Sequence, residues 1–189
     1  MKLVQLLPVG EIDDALVREL RLAIPRCFQV SCDVLPLTLD PAPSYHPERQ
    51  QYHSSELLQR MQSFVGPTGW RLLGIASVDL YIPILKYVFG EAQVGGPCAV
   101  VSYYRLRQEF YGLAQDRGLL RQRLLKEAVH ELGHTLGLRH CEDYRCAMAS
   151  AHAVEWIDIR ESAPCDACQA QASWNWGEIS QDPPSFARR

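Results

Sequence analysis

The stretch that decides the fold is His130-Glu131-Leu132-Gly133-His134-Thr135-Leu136-Gly137-Leu138-Arg139-His140. His130 and His134 are four residues apart, so on an α-helix their rings lie on one face, one turn apart. Gly137 allows the chain to leave the helix in a left-handed conformation, and His140 can then turn back towards the same point. Three protein ligands leave the fourth position of a zinc ion open, as in catalytic rather than structural sites.

Glu131 follows the first histidine, and we expect it to act as a general base that takes a proton from a zinc-activated water. A motif that holds a zinc ion, a water and this carboxylate together predicts a peptidase that hydrolyses peptide or protein substrates. The alternative is a zinc-binding interaction or scaffold protein with a catalytically silent site. Glu131 favours the enzyme, because a silent site has little need of a carboxylate at this position.

A second cluster of metal-binding residues begins one residue later. Cys141 and Cys146 form a C-x4-C pair, and Cys165 and Cys168 form a C-x2-C pair. Four thiolates in two close pairs are typical of a closed, structural zinc site. Two disulfides, an iron–sulfur cluster and a redox-active Cys165–Cys168 pair remain alternatives at this point.

The histidine run, the four cysteines and Met148 together resemble the archaemetzincins, metzincin-type zinc peptidases that carry a second zinc on four cysteines. The upstream segment 78–83, Phe89-Gly90 and Ser102 are also similar to this family. The resemblance implies a metzincin-like fold and two zinc ions per chain, one catalytic and one structural.

The resemblance also implies a role for each residue of the two clusters. His130, His134 and His140 correspond to the catalytic zinc ligands, and Glu131 to the general base. Met148 corresponds to the methionine of the Met-turn, a tight turn beneath the zinc. The structural zinc ligands correspond to Cys141, Cys146, Cys165 and Cys168.

The chain departs from several other metzincins at Ser150. Those proteins carry a tyrosine that can reach the metal two residues after the Met-turn methionine. No side chain that stabilises the oxyanion is therefore assigned.

A gluzincin arrangement, in which a later glutamate is the third zinc ligand, is an alternative that would use Glu155. His140 is the better candidate, because it has the spacing that the glycine turn requires. Its neighbour Cys141 also belongs to the second cluster already.

Composition predicts one globular domain over residues 1–189, which is long enough to bury a substantial core. The net charge of −3 gives no reason to expect nucleic acid or a membrane as a partner, and we expect a monomer. The first apolar stretch is short and is interrupted by Pro8, unlike a signal peptide. Three cysteines outside the clusters, Cys27, Cys32 and Cys98, suit a reducing compartment as buried thiols, so we expect a cytoplasmic protein.

The remaining pattern predicts an α/β fold, in which a mixed, twisted sheet packs on a long active-site helix. We expect an N-terminal α/β part over 1–118, the helix and third ligand over 119–140, and the structural zinc, Met-turn and C-terminal segment over 141–189. Expected strands cover 2–9, 27–35, 71–81 and 99–106, and expected helices cover 11–24, 48–64, 119–138 and 168–174.

Four further expectations concern single residues and segments of the chain. Pro25 should end the first helix, and the strand over 99–106 should form the sheet edge beside the cleft, where an extended peptide could add. Residues 83–94 should form either a short edge strand or a loop. The tail over 180–189 should be loosely held.

Overall fold

A five-stranded mixed sheet carries the core of the molecule in a computed structural model, which describes residues 2–67 and 69–172. The strands are β1 (Leu3–Val9), β2 (Ser31–Val34), β3 (Tyr45–His46), β4 (Gln51–His53), β5 (Arg71–Ala76), β6 (Leu80–Tyr81), β7 (Gly90–Ala92) and β8 (Cys98–Ser102). The helices are α1 (Asp14–Phe28), α2 (Ser54–Met61), α3 (Arg117–Thr135), α4 (Val154–Ile159) and α5 (Asp166–Gln171).

The main sheet has the order β2-β1-β5-β8-β7. Its first four strands are parallel, and β7 runs antiparallel to β8. Strands β3, β4 and β6 form a small second sheet. The mixed sheet beside a long helix agrees with the fold expected from the sequence.

The two faces of the sheet are covered by different helices. In β5, Leu73 and Ile75 join the core cluster that includes residues of α1 and α3, whereas Leu72 and Ala76 join the cluster that includes residues of α2. This alternation follows from the two-residue period of a strand. Because both faces are buried, the central strands are almost continuously apolar.

The edge beside the cleft is β7, so the expectation that residues 99–106 form it is wrong. All five residues of β8 are buried, and β8 lies between β5 and β7. The three residues of β7 are only partly buried, as a short edge strand requires. The expected strand also ends early, because residues 104–106 form a 3₁₀ turn.

Helix α1 continues past Pro25, contrary to the expectation that this proline ends it. Asp13 caps the start, accepting hydrogen bonds from the backbone of Ala15 and Leu16. The helix ends at Phe28, and Gln29 adopts the left-handed conformation with φ of 50°. Phe28 is 1% exposed, so burial of the last turn offsets the backbone hydrogen bond that proline cannot make.

Other boundaries differ from the sequence expectation by a few residues. The predicted helix over 48–64 is β4 followed by α2, and the predicted strand over 71–81 is β5 followed by β6. Helix α3 begins and ends earlier than 119–138, and the C-terminal helix α5 begins before Cys168. Residues 173–189, which include the predicted tail, lie outside the described residues.

No helix in the described part of the chain combines the length and the apolar character needed to cross a bilayer.

We predict that Pro25→Ala stabilises the protein by about 2 kcal/mol. A proline inside a helix costs about 3 kcal/mol relative to alanine, and its restriction of the unfolded chain returns at most about 1 kcal/mol. Chemical denaturation of both proteins would measure the difference. Pro36→Ala in an exposed loop is the control, and it should lower stability slightly or leave it unchanged. Lower stability of Pro25→Ala would contradict the prediction.

Candidate functional site

The three histidines of the opening motif converge at the C-terminal end of α3. The Nε2 atoms of His130 and His134 are 3.1 Å apart, close to the roughly 3.3 Å expected for two nitrogens on a tetrahedral zinc. Gly137 has φ of +90° and donates its N–H to the carbonyl of His134, 2.9 Å away. This turn brings His140 back, and one ligand atom from each histidine lies within 4.8 Å of the others.

Backbone carbonyls fix the orientation of two imidazoles. His130 Nδ1 is 2.8 Å from the carbonyl oxygen of Ala147, and His134 Nδ1 is 2.7 Å from that of Leu138. A proton on each Nδ1 leaves the Nε2 lone pair free for a metal.

The rings are also kept neutral. Burial lowers the pKa of His130 well below its usual value, and the Arg160 cation beside the ring lowers it further. Burial likewise lowers the pKa of His134 and of His140. Neutral imidazoles are the form that binds zinc, so the three residues fit the metal that the sequence predicts.

Glu131 lies at the side of the histidines and is 5% exposed. Burial raises the pKa of Glu131 well above its usual value, and the nearby Glu127 carboxylate raises it further. A Cβ on Gly90 would lie 2.6 Å from Oε1 of Glu131 and 2.7 Å from the carbonyl of Val100. Gly90 is therefore the residue that lets Glu131 approach strand β7.

An open cleft of about 540 Å³ lies in front of these groups. One wall is formed by β7 and the segment before it, and a second wall is formed by Ser150, Ala151 and His152. The Tyr87 hydroxyl donates to the carbonyl of His152 at 2.6 Å and so links the two walls. An extended chain can lie in this cleft alongside the edge strand.

Met148 packs beneath the histidines, where the sequence places a Met-turn. Its side chain is fully buried, and a Cβ on Gly133 would lie less than 3.0 Å from its sulfur. Its carbonyl accepts a hydrogen bond from the backbone of Cys141, 2.9 Å away. The turn is therefore tied to the chain immediately after His140.

The four cysteines also come together. The Cys141 and Cys165 sulfurs are 3.8 Å apart, as are those of Cys146 and Cys168. A tetrahedral zinc with bonds of about 2.3 Å requires a sulfur separation of about 3.8 Å, whereas a disulfide requires about 2 Å. The geometry therefore fits a four-thiolate metal site and not two disulfides.

Backbone N–H groups support one of these sulfurs. Met148 and Cys165 donate their N–H groups to Cys146 Sγ, at 3.3 and 3.2 Å. Such donors stabilise a thiolate, which is the form that binds metal.

The other three cysteines are separate from both clusters. Burial raises the pKa of Cys27 to about 11 and that of Cys98 to about 11, so both are neutral thiols at pH 7. Cys32 is partly buried, and all three are free. The burial of Cys27 and Cys98 agrees with the expectation of small buried apolar residues, whereas Cys32 is more exposed than expected.

Glu155, the candidate third ligand of the gluzincin alternative, is exposed on α4 and is not among the residues that line the cleft. The geometry thus favours His140 as the partner of His130 and His134.

Two buried residues of the site were missed by sequence reasoning. Glu127 and Arg160 form an ion pair behind His130. Glu127 could have been found, because it lies four residues before Glu131 and therefore on the same face of α3. No sequence pattern identifies Arg160 as a site residue, because it follows the Met-turn in the chain and reaches the site only through tertiary contacts.

Comparison with known proteins places this geometry in a family. The sequence profile of Peptidase family M54 matches residues 47–173. The archaemetzincin of Methanocaldococcus jannaschii is 37% identical over 161 residues, which cover 85% of this chain and 87% of that protein. That of Haloarcula marismortui is 34% identical over 88% of this chain and 96% of its own length.

The chain belongs to the archaemetzincin family. The resemblance found in the sequence is thereby confirmed, and the chain is a zinc metallopeptidase.

Solved archaemetzincin structures share the fold. The crystal structure of archaemetzincin from Archaeoglobus fulgidus, complexed with malonate, has a TM-score of 0.77 at 32% identity. A zinc-dependent peptidase from Methanocorpusculum labreanum has a TM-score of 0.80 at 26% identity. Each match covers 89% of this chain and 98% of the other. The metzincin-like fold class expected from the sequence is confirmed.

We predict that Gly133→Ala destabilises this archaemetzincin by about 1–3 kcal/mol, the usual cost of overpacking a core. The added methyl group would displace the buried Met148 side chain, whose sulfur lies in its way. Thermal or chemical unfolding of the zinc-loaded protein measures the effect.

The matched control is Gly118→Ala in the same helix. Its Cβ would meet only Asp116 and Arg121 side-chain atoms, at 3.3 and 4.0 Å. This variant should change stability by no more than about 1 kcal/mol. Equal effects of the two substitutions would show that Met148 does not restrict this face of α3.

Proposed function

We propose that this chain hydrolyses peptide bonds in the cleft, with His130, His134 and His140 as ligands of the catalytic zinc and Glu131 as the general base. The observation that carries the proposal is the convergence of three imidazoles that line an open cleft together with a buried carboxylate. Zinc bound at this site would polarise the peptide carbonyl and acidify the attacking water.

Glu131 has the properties of the proton-transfer group. Its carboxylate takes the proton of the attacking water and delivers a proton to the leaving amine as the peptide bond breaks. Burial raises the pKa of Glu131, which brings its basicity closer to that required at neutral pH. A zinc ion bound to the three histidines would lower the same pKa. Gly90 keeps the space in which this carboxylate must lie.

Strand β7 is the proposed binding edge for the substrate. It is the end strand of the main sheet and lines the cleft together with the histidines. An extended peptide can pair with its free backbone groups, so main-chain hydrogen bonds would hold the scissile bond in register. This assignment replaces the edge that the sequence placed at residues 99–106.

The four cysteines are proposed to hold a second, structural zinc. Its ligand atoms are separate from those of the three histidines, so each chain would hold two zinc ions. We also propose that residues 1–189 form one domain that acts as a monomer in the cytoplasm, where the free thiols of Cys27, Cys32 and Cys98 would stay reduced.

We predict that Glu131→Gln retains zinc and the folded structure but loses nearly all turnover, because an amide cannot accept the proton. Cleavage of a mixed fluorogenic peptide library, together with elemental analysis of both proteins, would test this. Glu155→Gln is the control, and it should keep the parent rate. Full activity of Glu131→Gln would exclude Glu131 as the general base, and loss of zinc from Glu155→Gln would favour the gluzincin arrangement.

Elemental analysis should find two zinc ions per chain, and a mild chelator should remove the catalytic ion first, because the histidine site has neutral ligands and an open position. Activity and half of the metal should therefore be lost together.

The matched substitution for the second site is Cys165→Ser, which leaves three thiolates around the structural ion. It should lower the unfolding temperature, since binding of a structural zinc contributes to folding. One zinc per chain, iron with sulfide, or an unchanged unfolding temperature of Cys165→Ser would each contradict the proposed structural zinc.

A further inference from the structure

Arg160 and Glu127 form a buried ion pair behind the three histidines, and both residues also contribute to the lining of the cleft. Arg160 follows the last residue of α4, and Glu127 lies on α3 one turn before Glu131. Their side chains are 1% and 4% exposed. Burial of two charges costs about as much free energy as their attraction returns. Stability alone therefore does not explain the pair.

The guanidinium of Arg160 joins two parts of the active site. Nη2 donates to the carboxylate of Glu127 on α3. Nη1 donates to the carbonyls of Ala149 and Ala147, at 2.9 and 3.2 Å. These two residues flank Met148, so one planar, multidentate group connects the active-site helix to the turn beneath it. Arginine suits this task because its donors are held in a fixed fork.

The same contacts determine how His130 is oriented. His130 Nδ1 is 2.8 Å from the Ala147 carbonyl and 2.9 Å from Arg160 Nη1. A guanidinium has no acceptor, so a proton on Nδ1 is donated to Ala147. Arg160 holds that carbonyl oxygen in place, and the Nε2 lone pair of His130 then faces the other two histidines.

His134 provides an internal comparison. Its Nδ1 partner is the carbonyl of Leu138, only four residues along the chain. His130 instead depends on a carbonyl 17 residues away, which must be positioned by tertiary contacts. This difference singles out His130 as the ligand whose orientation needs external support.

We propose that Arg160, held by Glu127, is a positioning residue for the catalytic zinc, because it fixes the Ala147 carbonyl and thereby the ring of His130. The inference rests on the proposed three-histidine zinc site but not on the proposed role of Glu131. Loss of such outer support in metal sites typically weakens metal binding or activity by about 10–100-fold.

The test is the double variant Arg160→Met/Glu127→Met. It removes both charges and leaves neither buried alone, so the protein should fold with stability close to that of the parent. Zinc affinity of the histidine site is measured by competition with a chromophoric chelator. The visible spectrum of the cobalt-substituted protein serves as a second readout, and sulfur-to-metal absorption identifies the cysteine site.

The positioning role predicts zinc affinity about 10–100-fold lower at the histidine site and an altered cobalt spectrum, with a near-parent unfolding temperature. Parent affinity together with a parent spectrum would overturn it. Neither readout needs turnover, so failure of the proposed role of Glu131 would appear separately, as full activity of the Glu131→Gln variant.

The matched control is Arg123→Met/Asp158→Leu. This pair also joins α3 to α4, with contacts of 2.7 and 2.6 Å, but neither residue lines the cleft. Zinc affinity should stay at the parent value in this variant. An equal loss in both double variants would show a general effect of loosening α4 and would overturn the proposal.

If the Arg160→Met/Glu127→Met variant fails to fold, the Arg160→Lys variant tests the positioning role of Arg160 instead. Lysine keeps the charge beside Glu127 but has one nitrogen instead of a fork, so it cannot hold both carbonyls and the carboxylate in the same way. The variant should fold and bind zinc more weakly at the histidine site. Parent zinc affinity in folded Arg160→Lys would overturn the proposal.

Discussion

The buried polar face of α3 is the constraint on which the rest of the structure depends. This helix buries Arg123, Glu127, His130, Glu131 and Thr135. A polar group removed from water costs free energy unless it finds a hydrogen-bond partner. Partners for four of these side chains come from distant segments: Asp158 for Arg123, Arg160 for Glu127, the Ala147 carbonyl for His130, and Arg71 for Thr135. Most of them lie in the chain after His140, so that chain folds back under the helix.

The same return path connects the two proposed metal sites. His140 and Cys141 are consecutive, so their Cα atoms are about 3.8 Å apart although their side chains serve different clusters. The backbone N–H of Cys141 donates a hydrogen bond to the Met148 carbonyl and so closes the loop between Cys141 and Met148. A metal on the four cysteines would therefore fix the chain at the point where it leaves the third histidine, and folding energy from one site would support the geometry of the other.

Glycines set how closely the elements around the cleft can approach. Gly133 admits the sulfur of Met148 against one side of α3, and Gly90 admits Glu131 against the edge strand. Both positions sit where an added methyl group would meet atoms of the site itself. Close packing of helix, turn and strand around the histidines limits the freedom of the reacting groups, which is what a hydrolytic site needs.

The sequence by itself determined the local chemistry. The spacing of His130 and His134, the glycine turn before His140 and the two cysteine pairs act over a few residues, where helix period and turn preference dominate. Those features predicted the histidine and cysteine groups that the fold brings together, the family and the class of fold.

Only the tertiary structure decided how the elements are arranged around that motif. The edge strand was misplaced, because the order of strands depends on which faces are buried and not on local preference. Helix α1 passes through Pro25, because burial of Phe28 offsets one missing hydrogen bond. Arg160 could not be predicted at all, since its partners Glu127 and Ala147 are 33 and 13 residues away in the chain. Contacts of that separation leave no periodic signal, and they form only when the chain after His140 packs beneath α3.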